Sequence, residues 1–470
     1  MSYEASILKI IESNREQSAA DFRRINELIK ENNLSYKNIC VRTLAVPKVL
    51  TAERYAEIGV FITKLYEIFD KIINHYFADA AYRALFGFEE ALEALILDSR
   101  RRNGWVPMAR IDFFLNEETG GIKMCEINTD GTSAMNEDRL LGEFLHENKA
   151  FQTYMKDKTY RRFELFDSWV KEFLSVYQAF CDEENSTELK AAGIAPKAPQ
   201  VGQSAKAAGA SQVAKAAKAP NVAIVDFLDV GYVTEFERFK ATFLRHGIET
   251  EICDIRDLCY DGEVLRTKSG MIVDAIYRRA VTSDIMSKFA EVGDFIHAVK
   301  ERAVCLIGDF VTQIVHNKRL FFVLFHEQTK AILTESEHQF VAKHFPATYY
   351  LTKENIAANH VYQNREEWII KPCDSYGAKG FFAGRNLTEK QWIEACEEHL
   401  QHDYILQEFN APYKTLNIDF SLTAPVVREY SNLTGIFCYN GKPYGAYSRM
   451  ADGEIISTQY DEKTIATILV

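Results

Sequence analysis

The densest set of side chains suited to chemistry lies in residues 109–139, ARIDFFLNEETGGIKMCEINTDGTSAMNEDR. Arg110-Ile111-Asp112-Phe113-Phe114-Leu115 is strand-like, Asn116-Glu117-Glu118-Thr119-Gly120-Gly121 supplies turn residues, and residues 122–127 run back as a second strand. Strand side chains alternate between faces, so in an antiparallel pair Arg110 shares a face with Asp112, and Glu126 with Asn128. Asp112 lies near one end of the first strand, and Glu126 and Asn128 lie near the matching end of the second. Two carboxylates and an amide oxygen then converge beside an arginine. Hard divalent cations such as Mg²⁺ take oxygen ligands of this kind, with phosphate oxygens completing the shell. A solvated hairpin face with an Arg–Asp ion pair is the alternative. The apolar neighbours Phe113, Cys125 and Ile127 favour a strand packed on a core, its polar face lining a cleft.

Segments in the second half carry groups suited to a nucleotide. Ile370-Lys371-Pro372 ends an apolar strand and runs into Cys373-Asp374-Ser375-Tyr376-Gly377-Ala378-Lys379-Gly380. A strand-end lysine can set its ammonium on a phosphate, and Gly377 and Gly380 let backbone N–H groups approach phosphate oxygens. An ordinary hairpin loop has a similar composition. His316-Asn317-Lys318-Arg319-Leu320 opens an apolar helix; Lys318 serves a second phosphate position or is a solvated first-turn lysine. Gln407-Glu408-Phe409 follows a buried-type strand. It could receive an adenine edge and a ribose, or be a plain strand end. Gly445-Ala446-Tyr447-Ser448-Arg449 places Arg449 at a strand end, to stabilise charge on a transferring phosphoryl group or to form a surface ion pair.

The chain that must position these groups has 470 residues, 47% hydrophobic and 26% charged. That leaves ample core and room for roughly two to four domains. No stretch approaches the ~20 apolar residues of a membrane span. The opening MSYEASILKIIESNREQ is charged and amphipathic rather than signal-like. Nine scattered cysteines without a CxxC pair fit reduced thiols in a cytoplasm better than disulfides or a zinc site. A net charge of −12 argues against a dominant nucleic-acid footprint. The expectation is a cytoplasmic protein with neither nucleic acid nor membrane as partner; a homo-oligomer stays open.

Residues 1–98 read as a helical region. Ile7, Ile10 and Ile11, then Phe22, Ile25 and Ile29, recur at helical spacing, and Ile58, Phe61, Ile62, Leu65 and Ile68 line one face of a run over 52–77. His75 and Tyr76 read as core there. Residues 99–189 hold the hairpin and a helical stretch over about 137–182. Residues 190–220, almost purely Ala, Lys, Gly, Pro, Ser and Gln, read as a linker or exposed insertion. Over 221–327, strand-like runs at 222–225, 251–254, 273–279 and 303–307 alternate with helices at 235–246 and 295–302, as in a parallel α/β layer. No GxGxxG follows the first of these strands, which disfavours a dinucleotide site. Residues 328–470 mix helices with β segments at 368–372 and 404–409 and a meander over 432–458 that turns at Asn440-Gly441.

Taken in order, Arg110-x-Asp112, Glu126-x-Asn128, Asn317-Lys318, Lys371-Pro372 with its glycine loop, Gln407-Glu408 and Arg449 resemble the glutathionylspermidine synthase-like family of circularly permuted ATP-grasp ligases. The resemblance covers about 110–458, interrupted by 190–220, and includes Gly247-Ile248-Glu249-Thr250-Glu251, Asp261-Gly262 and Asp274-Ala275-Ile276-Tyr277-Arg278-Arg279. It implies an α/β (α+β) chain: an ATP-grasp fold in permuted order, built from 99–189 and 328–470, a Rossmann-like pre-ATP-grasp domain at 221–327, and the helical N-terminal region. It also implies that Asp112, Glu126 and Asn128 ligate Mg²⁺, and that Arg110, assisted by Ser133, holds a reacting acyl phosphate. By the same resemblance Lys318 and Lys371 bind the ATP phosphates and the Gly377–Gly380 loop closes over them as a lid. Gln407 and Glu408 fall at the adenine hinge, and Arg449 contacts the transferred phosphate.

The implied chemistry uses ATP and Mg²⁺. A small-molecule carboxylate becomes an acyl phosphate, and an amine then displaces phosphate to give an amide. This chain departs from the family in three places. The helical region holds no candidate Cys/His hydrolase, the loop is Ser-Tyr-Gly-Ala-Lys-Gly, and the Ala/Lys-rich segment has no counterpart. The alternatives are a phosphotransferase that stops at phosphate transfer and a nucleotide-binding protein with a decayed ligase site. The intact Asp112, Glu126, Asn128, Lys371 and Arg449 count against decay.

Overall fold

Strands β1 (Met108–Leu115) and β2 (Ile122–Asn128) form the hairpin, with Arg110 opposite Asn128 and Asp112 opposite Glu126. This is a computed structural model, and it describes residues 2–36, 39–191, 219–229, 233–375, 377–457 and 461–470. Most of the expected linker, with Tyr376 and Thr458, lies outside them. Every residue of β1 is buried, on both faces. The reason is tertiary. Ile111 and Phe113 pack under the helix Ala52–Ala78, where the Phe61 and Phe113 rings lie 5.8 Å apart, while Arg110 and Asp112 project to the opposite side. The register shifts between Asp112 and Phe113, a bulge that bends the strand next to these polar residues.

The N-terminal periodicity gives α1 (Tyr3–Ser13), α2 (Arg15–Glu31) and α3 (Ala52–Ala78). Ser2 and Thr51 cap the first and third through their side-chain oxygens. Tyr76 is buried in the core, whereas His75 is half-exposed and packs its ring 4.5 Å from that of Tyr82 at the core's margin. The stretch expected as one helix over 137–182 is broken into α4 (Met135–Phe144), a short helix at Lys149–Met155 and α5 (Phe166–Ala191). Asn148 restarts the chain as an N-cap to Phe151, and Arg161–Arg162 is drawn out as a strand beside Thr467–Leu469. Pairing with the far end of the sequence overrides a continuous apolar period.

In the middle of the chain, β3 (Val222–Asp226), β4 (Thr250–Asp254), β5 (Ala275–Arg278) and β6 (Cys305–Ile307) pair in parallel in the order β6-β5-β3-β4. The apolar runs 222–225 of β3 and 305–307 of β6 fit burial on both faces, whereas β4 at the sheet edge keeps Glu251 and Asp254 half-exposed. Val222, Ile224 and Tyr277 meet Phe236, Phe239 and Phe243 of α6 (Val233–Arg245) and Trp169 of α5, while Ala223, Val225 and Ile276 face the other core.

Beyond them β7 (Thr348–Tyr350), β8 (Trp368–Pro372), β9 (Phe382–Ala383) and β10 (Tyr404–Glu408) form an antiparallel sheet in the order β7-β10-β8-β9. The last sheet joins β11 (Lys414–Ile418), β12 (Val427–Tyr439), β13 (Lys442–Ala451) and β14 (Lys463–Ile465) to the early hairpin. Its order is β14-β13-β12-β1-β2, with β11 also on β12. The β12–β13 turn is Asn440-Gly441, both at positive φ (43° and 79°), as a tight hairpin between right-twisted strands demands. Among the described residues no helix is long and apolar enough to cross a membrane.

Candidate active site

A cavity of about 300 Å³ opens where the hairpin sheet, the β7–β10 sheet and the parallel layer meet. Of the residues expected from the sequence, Arg110, Glu126, Asn128, Ser133, Lys371, Gly377, Gln407, Glu408 and Arg449 line it. Asp112, Lys318 and Gly380 stand outside that lining.

Asp112 is fully buried, and its carboxylate is saturated. Arg110 donates to it twice, from Nε to Oδ1 at 2.8 Å and from Nη2 to Oδ2 at 3.0 Å. Asn128 Nδ2 donates to Oδ2 at 3.0 Å, and Arg449 Nη2 to the same oxygen at 2.5 Å. Arg110 reaches on from Nη1 to the Ser133 carbonyl at 2.7 Å, and Arg449 to Glu462 at 3.5 Å. Both guanidiniums also lie over the Tyr447 ring, at 5.4 and 5.2 Å. Burial works against charge on Arg449, but Asp112 and Glu462 outweigh it and hold the guanidinium charged. The assembly needs Gly435 on β12 directly opposite Asp112: a Cβ there would stand 2.5 Å from Asp112 Oδ1 and 2.9 Å from Arg110 Cδ.

Glu126 is held by Lys318, whose Nζ lies 3.1 Å away and also donates to the Ser375 carbonyl at 2.8 Å. Burial alone would raise the Glu126 carboxyl, but Lys318, with His316 and Lys371 nearby, brings it down to about 2. Lys371 leaves the end of β8 and donates to Gln407 Oε1 on β10 at 2.8 Å, and Gln407 in turn donates to Thr348 Oγ1 at 3.0 Å. Burial lowers the Lys371 ammonium, as expected of a cation set in a desolvated site. The Phe381 ring lies 5.2 Å from Lys371 Nζ and 5.6 Å from Lys318 Nζ, and the loop before it is tied down where Ser457 Oγ donates to the Gly377 carbonyl at 2.8 Å.

Beyond Ser133 the wall is made by residues the sequence reading did not single out. Arg279 follows β5 and Asp226 ends β3, at the carboxyl ends of parallel strands, where α/β layers place ligands. Arg279 donates to the Thr132 carbonyl and pairs with Glu235 at 2.9 Å. Glu137, in the first turn of α4, completes this side. The doubled arginine after a short apolar strand was a usable signal for Arg279, and so was a lone glycine inside a long strand for Gly435. Nothing local marks Glu137.

Among the described residues no three His, Cys, Asp or Glu side chains are grouped to hold a metal by themselves. The donor set fits Mg²⁺ in part. Ionised Glu126 and the Asn128 amide line the cavity and suit a cation that brings phosphate oxygens as its other ligands. Asp112, expected as a third ligand, has its oxygens occupied by two arginines and an amide in this arrangement.

No family model and no curated protein matches the sequence. The structure is similar to that of a glutathione synthetase-like effector from Globodera pallida, with a TM-score of 0.56 and 12% identity over 97% of this chain and 96% of that one. That likeness shows a shared fold, a mixed α/β architecture with several sheets. A D-cycloserine synthetase matches at 12% identity over 52% of this chain and 90% of its own, with a TM-score of 0.27. D-alanyl-alanine synthetase A from Vibrio cholerae matches at 13% over 53% and 74%, with a TM-score of 0.29. Overlaps this slight carry no argument.

Proposed function

We propose that this chain is an ATP-dependent carboxylate–amine ligase that forms an amide through an acyl phosphate. The observation that carries the reading is the convergence on one cavity of Arg110 and Arg449, fixed by Asp112, with Lys371 and ionised Glu126. We read 99–189 and 328–470 as the two parts of its nucleotide-binding unit and 221–327 as the layer beside it. The shared fold with a glutathione synthetase-like protein supports this, and the order of motifs favours the glutathionylspermidine synthase-like class within it.

In this reading the ATP phosphates lie against Lys371 and Lys318 beneath the 377–380 loop, and the base lies toward Gln407 and Glu408. Glu126 and Asn128 would hold Mg²⁺, which when bound supplies neutralising charge at the phosphates. A substrate carboxylate oxygen attacks the γ-phosphorus and ADP departs. Arg110 and Arg449 stabilise the charge that moves onto the transferred group, with Ser133 beside it. An amine then attacks the acyl carbon, and phosphate leaves with the C–O bonding pair. Phe381 and the glycine loop keep water from the acyl phosphate.

The test is ADP release from Mg²⁺–ATP against a panel of acids and amines, glutathione and spermidine included, with products identified by mass. ADP, phosphate and amide in equal amounts are expected. A phosphorylated acid with no amide would favour a phosphotransferase, and no ADP with any pair would end the ligase reading.

A further inference from the structure

Glu137 is a buried carboxyl of the cavity wall to which the proposed reaction gives no role. Glu137 is 3% exposed, and its Oε2 is buried without a hydrogen-bond partner. Its neighbour Glu235 on α6 is fully buried but satisfied, by Arg279 at 2.9 Å and by the Asn136 N–H at 3.2 Å. Glu137 has no such cation. The charged and titratable groups that face it are Glu235 from α6, Glu462 just before β14, Arg110 from β1 and Tyr447 from β13. Arg110 is committed to Asp112 and the Ser133 carbonyl, Glu462 is paired with Arg449, and Arg279 is taken by Glu235. Burial first, then the charge of Glu235, pushes the Glu137 carboxyl up to about 8.

We propose that Glu137 takes the proton that the amine co-substrate must lose before it attacks the acyl phosphate. The proposal rests on the ligase reading. Ser133 and Glu137 flank the N-terminus of α4, and both line the cavity with Arg110. The group that fixes the acyl phosphate and the free carboxyl are therefore borne on one short stretch of wall. An arriving alkylammonium has no lone pair for attack and brings the positive charge that Glu137 lacks. One N–H proton passes to the Glu137 carboxylate, and the freed lone pair forms the C–N bond. The C–O bond to phosphorus breaks with its pair going to phosphate, and the second N–H proton leaves with the phosphate. A carboxyl raised toward the amine range suits this transfer better than an ordinary one, because a base works best when its affinity for the proton approaches the donor's.

The experiment compares the wild type with Glu137→Gln and Glu137→Asp. The acid is glutathione, or the first acid that releases ADP, and the nucleophile is n-propylamine or hydroxylamine. Hydroxylamine is unprotonated at neutral pH and needs no proton removed before attack. The amide-to-hydroxamate ratio should fall on the order of 100-fold in Glu137→Gln. In the wild type the amide rate should rise through about pH 8. The wild-type rate should then level off, whereas in Glu137→Gln it should keep climbing with the free-amine fraction, and Glu137→Asp should restore the plateau in part. A ratio unchanged in Glu137→Gln, whether both products drop together or neither does, overturns the proposal. If Glu137→Gln does not melt cooperatively, Glu137→Asp carries the comparison, with a shifted pH profile expected and an unshifted one overturning it. A wild type that gives no ADP, amide or hydroxamate with any acid overturns instead the ligase reading beneath it.

Discussion

Arg449 donates a 2.5 Å hydrogen bond to Asp112, 337 residues away in the chain. Because Arg110 holds the same carboxylate from its own strand, Asp112 works as a joint between two cations that face the cavity. Each guanidinium loses most of its torsional freedom there. A polyanion arriving at this wall meets donors already placed, which lowers the cost of organising the site.

This predicts a split between two carboxylates that the sequence puts in one class. Glu126→Gln should weaken Mn²⁺ binding in the presence of a nonhydrolysable ATP analogue by about tenfold or more. Asp112→Asn should change it less while lowering turnover as severely. Electron paramagnetic resonance of bound Mn²⁺ reads the first quantity and ADP release the second. Equal loss of metal affinity in both variants would restore Asp112 as a ligand.

Asp112→Ala should also cost stability, because it leaves two buried guanidiniums without their shared anion. Breaking a buried pair in this way costs about 3–5 kcal/mol. Urea denaturation of the wild type and the variant reads the difference; a cost below about 1 kcal/mol would mean that solvent reaches the arginines once Asp112 is gone.

Gly435→Ala probes the same joint from the opposite strand. Its Cβ would collide with Asp112 Oδ1 and Arg110 Cδ, neither of which is the free end of an exposed chain. Overpacking of this kind costs about 1–3 kcal/mol. Turnover should fall further than stability alone explains, since the arginine is displaced. Normal turnover in a folded Gly435→Ala protein would show that Arg110 can shift without consequence.

The Glu126 carboxyl sits at about 2 in the folded chain against 4.5 ordinarily. A depressed carboxyl contributes stability that is present above pH 4.5 and is lost as pH falls toward 2. Glu126→Gln should therefore flatten the acid limb of the stability curve in that window, with little change in its slope near neutrality. Melting temperatures across a pH series decide it, and superimposable acid limbs would contradict the Lys318 pairing.

Lys371→Ala should abolish most of the thermal stabilisation by an ATP analogue. A ligand at a hundred times its Kd stabilises the native state by about 2.7 kcal/mol. Full stabilisation in the variant would remove Lys371 from the phosphate site.

The local parts of this protein were legible in the sequence. The Asn116–Gly121 turn and the period-two pattern on either side set the register that puts Asp112 opposite Glu126. The apolar run Val222-Ala223-Ile224-Val225 announced a strand buried on both faces, and Asn440-Gly441 announced a hairpin. Each signal sits within a few residues of the structure it specifies, because backbone preferences and side-chain alternation act over that distance. Other features are different in kind. The break in the expected 137–182 helix follows from the C-terminal strand pairing with Arg161–Arg162. The saturation of Asp112 by Arg449 depends on β12 lying between β1 and β13. The free carboxyl of Glu137 exists because Arg279, from another layer, is spent on Glu235. Whether a buried charge is a ligand, a joint or a proton acceptor depends on which opposite charges reach it through space, and chain folding alone settles that count.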